Sequence, residues 1–83
     1  MTVKRKRITK DERAKREQMM ACVEMAHIIV LRRMFDAGWT DREVSDVYRQ
    51  SFADCAELSL QPGHPEWADE VASMVFCHYE KER

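Results

Sequence analysis

Glycine and proline are almost missing from this chain, two of each in 83 residues, and aromatics make up only 8%. So few turn formers exclude a turn-rich β sandwich or barrel and leave helices as the economical way to bury a 45% apolar content. No stretch reaches the ~18 to 20 uncharged apolar residues of a membrane span. The charged N-terminus is not followed by an apolar signal core, so a soluble, intracellular protein without membrane contacts is expected. Cysteine is sparse and odd in number: Cys22, Cys55 and Cys77 are too widely spaced for a disulfide framework and fit reduced thiols. There is no CxxC or HxxxH pair, and Cys77 and His78, adjacent on a helix, point about 100° apart, which argues against zinc. There is no glycine-rich phosphate loop and no oxyanion-forming turn. A chain of this length buries only a little over ~60% of its unfolded surface, too little for a deep substrate cleft. The expectation is one small domain with no enzymatic activity, no cofactor, no metal and no small-molecule substrate.

Charge is abundant but segregated. Lys4, Arg5, Lys6, Arg7, Lys10, Arg13, Lys15 and Arg16 are eight of the fourteen basic residues and lie within the first sixteen positions, where only Asp11 and Glu12 oppose them. That segment carries +6, and residues 17–83, with six bases and thirteen acids, carry −7. Four of the bases crowd a helix start, where the macrodipole disfavours cations, and an anionic partner alongside would relieve that cost. These eight residues are the candidate contact to a nucleic acid, a nucleoprotein complex or an acidic protein surface.

Three helices are predicted. Thr9 and Glu12 have capping-box spacing, and the first helix runs from Thr9 to Ala37 with Gly38 at its left-handed end. Met20, Val23, His27, Val30, Leu31, Met34 and Ala37 form its inner face, widened by Cys22, Ala26 and Ile29 on one side and by Ile28 and Phe35 on the other. A helix apolar over most of its circumference demands cover on more than one side. Self-association through the stretch around Met25, Cys22 and Ile29 is therefore expected. Thr40 and Glu43 make a second box, with Trp39 and Val44 as a hydrophobic staple. The second helix keeps Val44, Val47, Tyr48, Ser51, Phe52, Cys55, Leu58 and Ser59 on one face. Pro65 suits the first turn of a third helix, with Trp67, Ala68, Val71, Met74, Val75, His78 and Tyr79 lining its inner side. The fold expected is an all-α three-helix bundle with a long first helix, residues 1–8 forming a basic arm and residues 9–83 a single domain.

Two further surfaces invite a functional reading. The Ala37–Thr40 corner has the length and glycine of a helix-turn-helix, yet the second helix sets Arg42 and Arg49 against five acids, the wrong sign for DNA phosphates. Glu43, Asp46, Asp54 and Glu57 form a candidate acidic interface, and with Glu66, Asp69 and Glu70 could imitate a phosphate backbone. A solvated face is the commoner explanation of such a pattern.

The succession of TKDERAKREQ (residues 9–18), a long apolar helix ending in AGW (37–39), an amphipathic helix and a PEW-started short helix (65–67) resembles small helical proteins of phages and integrated mobile elements of Gram-positive bacteria. The likeness spans most of the chain, rests on short motifs and brings no catalytic residues to carry over. It implies a bacterial cytoplasmic setting in which small proteins regulate, package or disarm nucleic-acid machines, among them inhibitors of host defence nucleases such as CRISPR-type effectors. The function expected is a non-enzymatic protein acting stoichiometrically on a nucleic acid or a nucleic-acid-handling machine. The alternative is a homodimeric DNA-binding regulator.

Overall fold

The computed structural model describes residues 9–60 and 67–83. Three helices, α1 (Lys10–Asp36), α2 (Asp41–Leu60) and α3 (Ala68–Glu82), pack against one another as an all-α three-helix bundle. The first and second follow the local signals. The Thr9 hydroxyl accepts from the Glu12 amide at 3.2 Å and caps α1. At the other end Gly38, at φ +91°, completes a Schellman turn: its amide bonds to the Phe35 carbonyl, and the Trp39 amide to the Met34 carbonyl.

The Thr40 box then starts α2. The Glu43 amide donates to the Thr40 hydroxyl at 3.2 Å, while the Thr40 amide and hydroxyl both donate to Glu43 Oε1 at 3.1 Å. Trp39 and Val44 are buried together as the staple requires. These bonds from Thr40, with Arg83 nearby, hold the Glu43 carboxyl below its usual range. The corner turns the chain back so that Ser59, near the end of α2, meets Cys22 on α1, Oγ to Sγ 3.8 Å. α3 then runs antiparallel to α2, with Trp67 beside Ser59 at one end and Arg83 on Glu43 at the other, 3.1 Å.

The core is a single cluster: Val23, Ala26, Val30 and Met34 from α1, Trp39 from the corner, Val44 and Cys55 from α2, and Val71, Ala72, Val75 and Tyr79 from α3. It occupies only the C-terminal half of α1. From Lys10 to Gln18 every residue is exposed, about 13 Å of helix ahead of the half-buried Met19. The molecule is accordingly elongated, 55 × 26 × 18 Å.

Three expected faces are corrected. On α1, Met20, Ile28 and Phe35 are exposed while Cys22 and Ile29 turn toward the core, because α2 and α3 both lie on the Val23–Ala26–Val30 side and leave the opposite one open among the described residues. On α2, Tyr48 is half exposed, its ring lying edge-on to His27 at 4.7 Å. On α3, Trp67, Met74 and His78 are exposed and Ala72 is fully buried, a rotation of roughly 40° from the expected stripe. Small Ala72 allows close approach on that side, and the Tyr79 hydroxyl fixes the rotation by donating to Asp54 Oδ2 at 2.6 Å. Trp67 is the N-cap residue of α3, which begins later than the sequence suggests. The expected Pro65 and Glu66 start lies outside the described residues.

Among the described residues no helix is long and apolar enough to cross a membrane.

Candidate functional site

The projecting part of α1 carries half of the basic residues singled out from the sequence. Lys10, Arg13, Lys15 and Arg16 are all exposed on the first two turns, with Asp11 and Glu12 between them. Lys4, Arg5, Lys6 and Arg7 lie outside the described residues. At 100° per residue Lys10, Arg13 and Arg16 fall within a 120° arc and share one face of the stem, whereas Lys15 lies 100° beyond Arg16. Three cations on one face suit an anionic surface laid along that side of the helix. The N-terminal dipole adds to the positive potential here, since the first-turn acids offset only part of it.

Where the stem joins the bundle, Lys15, Gln18, Met19 and Cys22 of α1 with Ser59 of α2 and Trp67 line a hollow of about 310 Å³. Trp67, 72% exposed, presents its indole there within the same hollow as Lys15. An aromatic beside a cation is a stacking platform for a base or another planar group. The sequence pattern puts Trp67 on the inner side of α3, whereas the structure makes it the cap residue ahead of the helix and outside the buried stripe, a position no local signal marks.

The acidic candidates are divided by the fold. Glu43 is bonded to Thr40 and Arg83, and the Arg83 guanidinium also lies over the Trp39 ring, 4.8 Å from its centroid. Asp54 accepts from Tyr79 and from Gln50 Nε2 at 3.0 Å. Both are half-buried and tie α2 to its neighbours, whereas Asp46 and Glu57 are exposed. Asp54 and Glu57 border a second hollow of about 240 Å³ with Leu58, Met74, Val75 and His78. The four carboxylates thus share an edge of α2, but two of them are engaged in holding the bundle together. Arg42 and Arg49 are exposed among these acids, so α2 brings no basic face to a DNA groove.

The buried titratable groups have the environment of packing residues. His27 is 4% exposed, edge-on to the rings of Tyr48 and Phe52 at 4.7 and 5.3 Å. Burial lowers its pKa, opposed by a hydrogen bond to the Tyr48 backbone. Its Nε2, like Ser51 Oγ, has no hydrogen-bond partner among the described residues. Burial, reinforced by the nearby Asp54 and Cys22, pushes the Cys55 thiol up to about 11 and keeps it protonated and unreactive at neutral pH. Burial and the bond to Asp54 likewise raise the Tyr79 phenol. Cys22, Cys55 and Cys77 form no disulfide. Among the described residues no three His, Cys, Asp or Glu side chains gather as metal donors.

No protein-family model, curated protein or solved structure matches the chain.

Proposed function

We infer that this chain is a non-enzymatic binding protein that acts stoichiometrically on a nucleic acid or on a nucleic-acid-handling machine, with the basic stem of α1 as its contact. The observation that carries the reading is the stem itself: Lys10, Arg13, Lys15 and Arg16 stand exposed on about 13 Å of helix that precedes Met19, the first half-buried residue of α1. Unpacked helix is costly to maintain alone, since isolated helical turns are marginal in water, and cations at its start make it costlier. Phosphates alongside supply the missing stabilisation and are repaid by counterion release. The likeness to small phage and mobile-element proteins supplies a setting for this reading, and inhibition of a defence nuclease of the CRISPR type is one form of it. The DNA-binding regulator is the second form; the acidic exposed edge of α2 favours contact through the stem in that case as well.

The test is a binding isotherm series with labelled duplex DNA and single-stranded RNA at several salt concentrations. Replacing Lys10, Arg13, Lys15 and Arg16 with Gln should lower the salt slope of log K by up to about 3.6 if all four meet duplex phosphates. Helicity should be unchanged or slightly higher. A salt slope and affinity equal to wild type remove the stem from the account. Capture from a bacterial lysate with and without nuclease separates the two forms: a nuclease-resistant protein partner supports the inhibitor, and nucleic acid alone supports the regulator.

A further inference from the structure

The side of α1 turned away from α2 and α3 carries an ordered pattern. Ala21, Met25, Ile28, Arg32 and Phe35 are exposed there, at alternating spacings of four and three residues, the spacing of a coiled-coil seam. Met25 is 60% exposed, Ile28 57% and Phe35 48%, and Met20 at the margin 40%. Leu31 and Ile29, half-buried, flank the seam on either side. Such a row is poorly suited to solvent, and its charges say what covers it.

We propose that this face is the interface of an antiparallel homodimer whose two-fold axis passes through the Met25–Ile28 turn. Two charged residues select the orientation. Side by side in parallel, Arg32 would face Arg32 in the centre of the seam, and the two basic stems would lie together. Reversed, Met25 and Ile28 of each copy pack on one another, and Arg32 lies over Ala21 of the second copy. The small Ala21 side chain leaves room for the guanidinium to reach Glu24, one turn further on. Glu24 and Arg32 are eight residues apart and both exposed, a separation of about 12 Å that no pair within one helix spans. The contact is isologous, so each such pair occurs twice.

A seam of one helix on its copy is smaller than the roughly 1,200 Å² of a stable specific interface, which places this dimer among the weak, reversible ones. The two stems then point away from each other, with their ends roughly 50 Å apart. One long anion engaging both stems would be bound with avidity. The dimer does not rest on the anionic-partner reading, and its test contains no nucleic acid.

Sedimentation equilibrium of the full chain under reducing conditions at near-physiological salt should show a monomer–dimer equilibrium. Glu24→Arg and Arg32→Glu should each raise the dissociation constant about tenfold or more, because each places two like-charge contacts in the interface. The double exchange, Glu24→Arg with Arg32→Glu, should return it to within about threefold of wild type. Ile28→Glu should abolish the dimer with the helical circular dichroism intact. A wild-type chain that remains monomeric, single exchanges that leave the dimer unchanged, or a double exchange as weak as the single ones would each overturn the proposal.

Discussion

Replacing Trp39 with alanine separates a buried tryptophan from an exposed one within the same molecule. Trp39 is 8% exposed, joins the core cluster at the α1–α2 corner, staples Val44 and is overlain by Arg83 at 4.8 Å. Truncating a buried Trp to Ala costs about 3–5 kcal/mol. The site lies at the margin of the core, where neighbours can collapse into the space, so the lower figure of about 3 kcal/mol applies, including whatever is lost with the Arg83 stacking. For a domain of this size that lowers the melting temperature by about 12–24 °C. If the whole stability is about 5 kcal/mol, roughly 2 remain, so the variant stays folded at room temperature and its loss is measurable. Trp67→Ala removes a side chain that is 72% exposed and should stay within about 0.5 kcal/mol of wild type. Thermal and urea melts followed at 222 nm give both values. Equal shifts for the two variants, or a loss of less than about 3 °C for Trp39→Ala, would refute the assignment of the core and the staple.

Two other expectations concern α3 and His27. Tyr79→Phe removes the 2.6 Å bond to Asp54 and should cost about 1.5 kcal/mol in a urea titration, the worth of a hydrogen bond to a charged group; no loss would mean that the hydroxyl does not fix the rotation of α3. His27 titrates below its usual range because it is buried. The unfolded chain therefore takes up a proton first as pH falls, and the stability tied to neutral His27 is complete above about pH 6.5 and declines below it. Between pH 7 and 5 the wild type should lose more stability than His27→Phe; parallel curves would show that His27 remains neutral or equally hydrated in both states.

Much of the local structure was legible in the sequence because it is written in contiguous residues. The Thr9 and Thr40 caps, the Gly38 turn, the Trp39–Val44 staple and the limits of α1 and α2 depend on hydrogen bonds and dihedral preferences spanning at most six positions. The charge imbalance of the first sixteen residues was legible for the same reason. The start of α3 was not, since Pro65 suits a first helical turn and the described helix has Trp67 as its cap.

What the tertiary structure alone decided is which apolar residues have neighbours. Periodicity marked nearly the whole circumference of α1 as apolar, and the sequence carried no record of where two shorter helices would dock. They dock on one side, burying Val23, Ala26, His27, Val30 and Met34 and leaving Met25, Ile28 and Phe35 open, so the uncovered face lies around Ile28 and not Ile29. In the same way Glu43 and Asp54, equivalent to Asp46 and Glu57 in a helical projection, became ties to Arg83 and Tyr79. A helical projection records angles about one axis, whereas burial depends on the distance to another, and that distance is set only when the helices have packed.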